Sequence, residues 1–361
     1  MPNRAGVASV ATIRDVDAQS PSLAIQVWQA SATSMVVVSP THTGSLRSQI
    51  GEIHLVVERY LPEHGAVLLR GFSKPEASGF RDFASSFGHQ LLAYDFASTP
   101  RSRIGDGVYS STEYPAHQWI PQHNEQSYTL RWPLKIWFYC DVPARQGGET
   151  PISDSRVLHR RIDPTIRRRF AEKRLMYVRN YDDGLDVPWE QVFRTSSRAD
   201  VEAFCRSQQI AYEWLNGGAL RTRQVCQSEA THPRTGEVVW FNQAHLFHIS
   251  SLPPALREAL LAAVAEEHLP RNVYYGDGTP IEDGVLDEIR GIYRESMMSF
   301  AWREGDILML DNMLIAHGRA PYDAPRRVLV AMAEPWDGGA AAVGPTGLKT
   351  HSLESGAQGN A

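Results

Sequence analysis

HNEQSYTLRWPLKIWFYCDV, residues 123–142, contains the two features that decide the fold. Its second half, Trp132 to Val142, is aromatic and β-branched and flanked by Pro133 and Pro143, which marks a β-strand. Its first residues put an imidazole, His123, two positions from a carboxylate, Glu125. On a strand, residues i and i+2 share a face, so these side chains are expected to converge. A further ligand from a distant strand would complete a 2-His-1-carboxylate facial triad, whose open positions suit non-haem Fe(II). His317 is the candidate for that ligand. The tripeptide alone is a weak signal, because His-x-Glu pairs arise by chance.

The surrounding composition is that of an ordinary globular enzyme-sized chain. Of 361 residues, 42% are hydrophobic and 21% charged, enough apolar material for a large core. The formal net charge of −5 argues against a nucleic-acid footprint, and Arg167-Arg168-Arg169 reads as a solvated helix face. No apolar run is long enough for a membrane span, and no basic-then-apolar leader opens the chain. Cys140, Cys205 and Cys226 fit no zinc or redox spacing, so reduced thiols in a cytoplasmic protein are expected.

Working outward, Ser45–Leu61 has apolar residues at helical spacing and stops at Gly65. Ala66–Arg70 reads as a buried strand, and a helix follows from Pro75 to Phe87. Residues 90–122 are irregular, rich in Ser, Thr, Pro, Gly and Tyr, and lead into His123 as a binding loop would. Arg101 and Arg103 lie in this loop, and either is a candidate for a substrate carboxylate. Strands are predicted near 175–180, 211–216, 218–227, 238–241, 307–310 and 326–332, with helices over 253–268 and 281–298. Residues 1–20 are expected to be a flexible N-terminus, 21–337 one domain, and 338–361 a flexible tail. Short strands interrupted by helical insertions point to a mainly β chain (α+β) built on an antiparallel sandwich or jelly roll.

Arg326 and Arg327 stand a short loop beyond His317. An arginine's planar fork suits a carboxylate such as the distal one of 2-oxoglutarate. Strand alternation sends only one of the two inward.

The segments RGF (70–72), HNE (123–125), GGET (147–150), DNMLIAHGR (311–319) and PRRVLVAM (325–332), in that order, resemble the TauD/TfdA superfamily of Fe(II)/2-oxoglutarate-dependent dioxygenases. STEYPA (111–116), HNEQSY (123–128) and WFNQAHLFH (240–248) resemble a narrower branch, clavaminate synthase-like, that includes the aspartyl hydroxylase of syringomycin biosynthesis. The resemblance implies a double-stranded β-helix core and a single dioxygenase domain. It also implies iron ligands His123, Glu125 and His317, with Thr150 and Arg327 on the 2-oxoglutarate carboxylate and Arg326 as the alternative. O2 is the remaining cosubstrate. Ala331 falls where taurine dioxygenase has its sulfonate-binding arginine, which argues against a sulfonate substrate. Glu125, where a halogenase has a small residue, implies hydroxylation. The implied substrate is an amino acid, free or tethered to a carrier protein, in the biosynthesis of a peptide antibiotic. Ser127, Tyr128 and Asn242 are candidate substrate contacts. The rival readings are desaturation or cyclisation at the same iron, a substrate that is not an amino acid, and a metal-binding jelly roll without turnover.

Overall fold

Ten of the eleven residues of Trp132–Val142 are buried, because this strand lies inside a nine-stranded sheet covered on both faces. The computed structural model describes residues 8–9, 12–16, 21–93, 102–112, 114–181 and 187–338. In that sheet the strand pairs antiparallel with Ile307–Asp311 on one side and Arg327–Trp336 on the other. Beyond Ile307–Asp311 come Ala66–Leu69 and the hairpin Leu23–Ala30/Thr33–Pro40, for which the sequence offered no expectation.

Alternation along these strands separates two cores. Leu134, Ile136, Phe138 and Cys140 point one way, with Leu308, Leu310, Val328, Val330 and Met332. Trp137 and Tyr139 point the other way, with Ile307, Met309, Leu329 and Ala331, against the helices Ile50–His64 and Ala77–Ser85. Across the first core lies a second sheet of five strands, ordered Ala8–Ser9, Met298–Ser299, Ile152–Asp154, Ile315–Arg319 and Ile120–His123. Ile152, Met298 and Ile315 supply its inner face. Two facing, mainly antiparallel sheets form the expected jelly-roll core. Helices Ser155–Arg161, Pro164–Lys173 and Asp283–Ser296, with an inserted four-stranded sheet, pack on its outer side, where Ala316 joins their core.

Within residues 1–20, Thr12–Val16 pairs with Leu23–Ala30 and Ala8–Ser9 with Met298–Ser299, so the described part is sheet where flexible chain was expected. The tail after Gly338 lies outside the described residues. The helix expected over 253–268 ends at Ala263 and is followed by a short 3-10 turn, Glu266–His268. No helix among the described residues is long and apolar enough to cross a membrane. The three cysteines are free and buried.

The RGF arginine is a structural strut. Arg70 bonds both carboxylate oxygens of Asp306, the nearest pair at 2.6 Å, and the Ala301 carbonyl at 2.8 Å.

Candidate metal centre and cosubstrate pocket

His123 and His317 stand directly opposite each other on antiparallel strands, their ring centroids 4.8 Å apart. The strands come this close because residue 318 is glycine: a Cβ there would lie 2.5 Å from the Ile120 carbonyl oxygen. The Phe138 ring, reaching across from the other sheet, sits 4.9 Å from the His317 ring. Glu125 completes the cluster, and ligand atoms of His123, Glu125 and His317 all lie within 4.8 Å of one another.

The route by which Glu125 arrives differs from the expected one. The strand ends at His123, and Glu125 lies in a turn that continues through Gln126, whose φ is +57°. Strand alternation therefore does not aim the carboxylate; hydrogen bonds to its backbone hold it instead. The Asn312 Oδ1 accepts the Glu125 N–H at 2.7 Å, and its Nδ2 donates to the Glu125 carbonyl at 2.9 Å and to the Pro133 carbonyl at 2.9 Å. Asn124 donates to the Asn312 carbonyl at 2.6 Å and to Ser155 Oγ at 3.1 Å. His123 Nδ1 lies 2.9 Å from the Pro121 carbonyl. A carbonyl only accepts, so Nδ1 carries the hydrogen and Nε2 presents its lone pair. Two imidazoles and one carboxylate, clustered and largely buried, match the donor set of a divalent first-row metal.

Thr150 lies one same-face step from this cluster. Ile152 pairs with His317, and the extended pairing continues outward through Gly318 N–H to Pro151 and Ala320 N–H to Glu149. Thr150 is thus about 7 Å further along the same face as Ile152. It is buried, and its Oγ1 accepts the Trp302 Nε1–H at 3.1 Å, which leaves its own hydrogen to donate.

The expectation that Arg327 points into this pocket is overturned. Its side chain is 65% exposed and paired with Asp141 on the outer side. Arg326 turns inward instead: Nε donates to the Gly148 carbonyl at 3.0 Å, and the guanidinium lies over the Tyr322 ring at 5.4 Å. Gly148, at φ +74°, leaves room for it, since a Cβ there would come within 2.9 Å of Arg326 Cδ. The phase explains the outcome. Val328, Val330 and Met332 face the inner core, so the inward arginine has an even number; the extra residue at the irregularity beside Val328 is Asp141, on the facing strand, and leaves this alternation intact. Burial, then neighbouring Arg319, pulls the Arg326 pKa down to about 10, still cationic at neutral pH. Among the described residues no carboxylate lies within 4.0 Å of it.

The same phase moves the presumed sulfonate position. Ala331 faces the helix-covered core, so it says nothing about the pocket; four residues from Arg326, Val330 faces inward. The proposed substrate contacts are also redirected. Ser127 Oγ bonds the Asn124 carbonyl at 2.9 Å, and Asn242 bonds the Ser228 carbonyl at 2.6 Å and the Ala244 N–H at 3.0 Å. Tyr128 packs on Phe247, ring centroids 5.0 Å apart. All three serve the local structure. Arg101 lies outside the described residues.

Sequence reasoning missed Asn312, Gln243, His245 and Arg319. Arg319, buried two residues after His317, donates to the Tyr114, Pro115 and Gln118 carbonyls at 3.0, 2.7 and 3.1 Å and so ties down the loop before His123. Its place in HGR was visible, but its partners were not.

The sequence profile described as "Taurine catabolism dioxygenase TauD, TfdA family" matches residues 44–333. The dapdiamide synthesis protein DdaC of Enterobacter agglomerans is 40% identical over 282 residues, 78% of this chain and 86% of that protein. A clavaminate synthase-like protein of Arabidopsis thaliana is 31% identical over 287 residues, covering 76% and 83%. Among solved structures, PvcB of Pseudomonas aeruginosa superposes with a TM-score of 0.54 at 15% identity, covering 89% of this chain and 94% of that one. That likeness concerns the fold.

Proposed function

We propose, because this chain belongs to the TauD, TfdA family of dioxygenases, that it is an Fe(II)- and 2-oxoglutarate-dependent hydroxylase acting on an aliphatic C–H bond of an amino acid, free or tethered to a carrier protein, in the biosynthesis of a peptide natural product. The observation that carries this reading is the convergence of His123, Glu125 and His317 within 4.8 Å, with Thr150 extending from the same sheet and Arg326 turned inward from the start of a strand in the facing sheet. The natural-product part is supported by the relative named for dapdiamide synthesis and by the segments of this chain that resemble the aspartyl-hydroxylase branch.

Iron bound there, with 2-oxoglutarate and O2, supplies the oxidation that replaces hydrogen by hydroxyl and releases succinate and CO2. The chain supplies position and charge. His123, with Nδ1–H committed to Pro121, presents Nε2 in one tautomer. Glu125 brings the anionic ligand, which offsets part of the metal's charge. Phe138 walls the His317 side against water. Arg326 pairs with the distal carboxylate of 2-oxoglutarate, and the Thr150 hydroxyl donates to it, because a buried anion needs both charge and hydrogen bonds.

The test is incubation with Fe(II), 2-oxoglutarate and single amino acids, offered free or loaded on a carrier protein, read by succinate release and mass spectrometry. The expected result is succinate matched by an amino acid heavier by one oxygen atom, absent in His123→Ala and His317→Ala. A product lighter by two hydrogens would replace hydroxylation with desaturation or cyclisation. Metal binding without succinate from any substrate would favour a jelly roll that does not turn over.

A further inference from the structure

We propose that Gln243 and His245 are positioning residues for the metal centre, gripping the backbone on both sides of His123. This rests on His123 being a metal ligand. His245 Nε2 lies 3.0 Å from the Gln122 carbonyl, and Gln243 Nε2 donates to the Asn124 carbonyl at 2.8 Å. Those two carbonyls belong to the residues immediately before and after His123.

The need for the grip follows from topology. Ile120–His123 is the edge strand of the five-stranded sheet, paired on one side with Ile315–Arg319. The outward carbonyls of Gln122 and, just past the strand, Asn124 meet no further strand among the described residues, and a buried carbonyl without a donor is costly; the Asn124 carbonyl is also met by Ser127, through its N–H at 3.3 Å and its hydroxyl at 2.9 Å. The segment Gln243–Phe247 fills that place with two side-chain donors. A plain strand would satisfy the carbonyls equally well, but these donors are themselves held in fixed positions. The Gln243 N–H bonds Tyr177 Oη at 2.8 Å, and Asn242 Oδ1 accepts the Ala244 N–H at 3.0 Å. The His245 ring stacks on Tyr293 at 4.3 Å and 22°, and its carbonyl accepts Arg290 Nε–H at 3.0 Å. Gln243, His245 and Tyr293 are all buried. His123 is the last residue of its strand, where a chain frays first, so the direction of its Nε2 depends on this anchor.

The experiment is Co(II) titration of the metal-free chain, followed by the d–d absorption band, with thermal unfolding of each metal-free variant alongside. His245→Phe keeps the stack on Tyr293 but removes the donor; Gln243→Met removes the other donor at similar volume; His245→Gln restores an N–H. We expect Co(II) affinity to fall about 10- to 100-fold in Gln243→Met and His245→Phe, with an altered band, and to recover in His245→Gln. Affinity within about twofold of wild type in both donor-less variants would overturn the inference, whatever their thermal stability. If His245→Phe does not fold, Gln243→Met decides, because its carbonyl partner is separate. The His123→Ala control separates the two claims. Wild-type binding that His123→Ala leaves unchanged overturns the metal reading and this inference together. Binding lost in His123→Ala but kept in the donor-less variants overturns this inference alone.

Discussion

Asn312 closes on the Glu125 peptide from both sides, accepting its N–H at 2.7 Å and donating to its carbonyl at 2.9 Å. Asn312 precedes His317 by five positions, so one short stretch supplies a histidine to the cluster and also sets the carboxylate's backbone. Asn312→Ala leaves three buried backbone groups, the Glu125 N–H and the Glu125 and Pro133 carbonyls, without this partner. We expect a loss of about 2–4 kcal/mol in unfolding free energy, measured by chemical denaturation, together with weaker metal binding. Unchanged metal affinity in a folded Asn312→Ala would show that the turn holds Glu125 without the clamp.

Arg326 and Arg327 give opposite predictions. Arg326→Ala removes the inward guanidinium and is expected to cost about 2–5 kcal/mol of 2-oxoglutarate binding. Arg327→Ala removes an exposed side chain paired with Asp141 and is expected to leave that binding unchanged. Thr150→Val, which deletes only a hydroxyl, should fall between, at about 0.5–3 kcal/mol. The measurement is 2-oxoglutarate titration of the metal-loaded protein. A crippled Arg327→Ala beside a normal Arg326→Ala would reverse the assignment.

Arg70 and Asp306 are both deeply buried, and their side chains are 8% and 1% exposed. Asp306→Ala strands a buried cation, which costs about 3–5 kcal/mol. The double replacement Arg70→Met with Asp306→Leu removes both charges and should recover most of that loss. Urea unfolding of the three variants checks this. A double variant as unstable as the single one would mean that the pair is favourable beyond mutual neutralisation.

Burial lowers the pKa of His64 and His248 below 6.5 in the folded chain. Between 6.5 and those lowered values, the unfolded chain holds more protons than the folded one. Stability from these residues is therefore complete above pH 6.5 and declines as pH falls below it, by at most about 1.4 kcal/mol per pH unit for each histidine. Replacing either with glutamine should flatten the acid limb of unfolding free energy against pH. A limb equally steep in both variants would assign acid sensitivity to other groups.

Several features were legible from the sequence because they depend on near neighbours along the chain. The run Trp132–Val142 could only be a buried strand, since aromatic and β-branched residues without polar alternation need cover on both faces. His123, Glu125 and His317 were identified as a set by residue chemistry and motif order, and the structure clusters them. Tertiary structure alone decided which side chains turn inward and what holds them. Strand alternation has two phases, and the core that Val328, Val330 and Met332 share with the facing sheet selects the one that admits Arg326. The Glu125 turn, the Asn312 clamp and the Gln243–His245 grip join residues more than a hundred positions apart. Their hydrogen bonds answer backbone groups orphaned by a strand end and a sheet edge, and those exist only after the two sheets have come together.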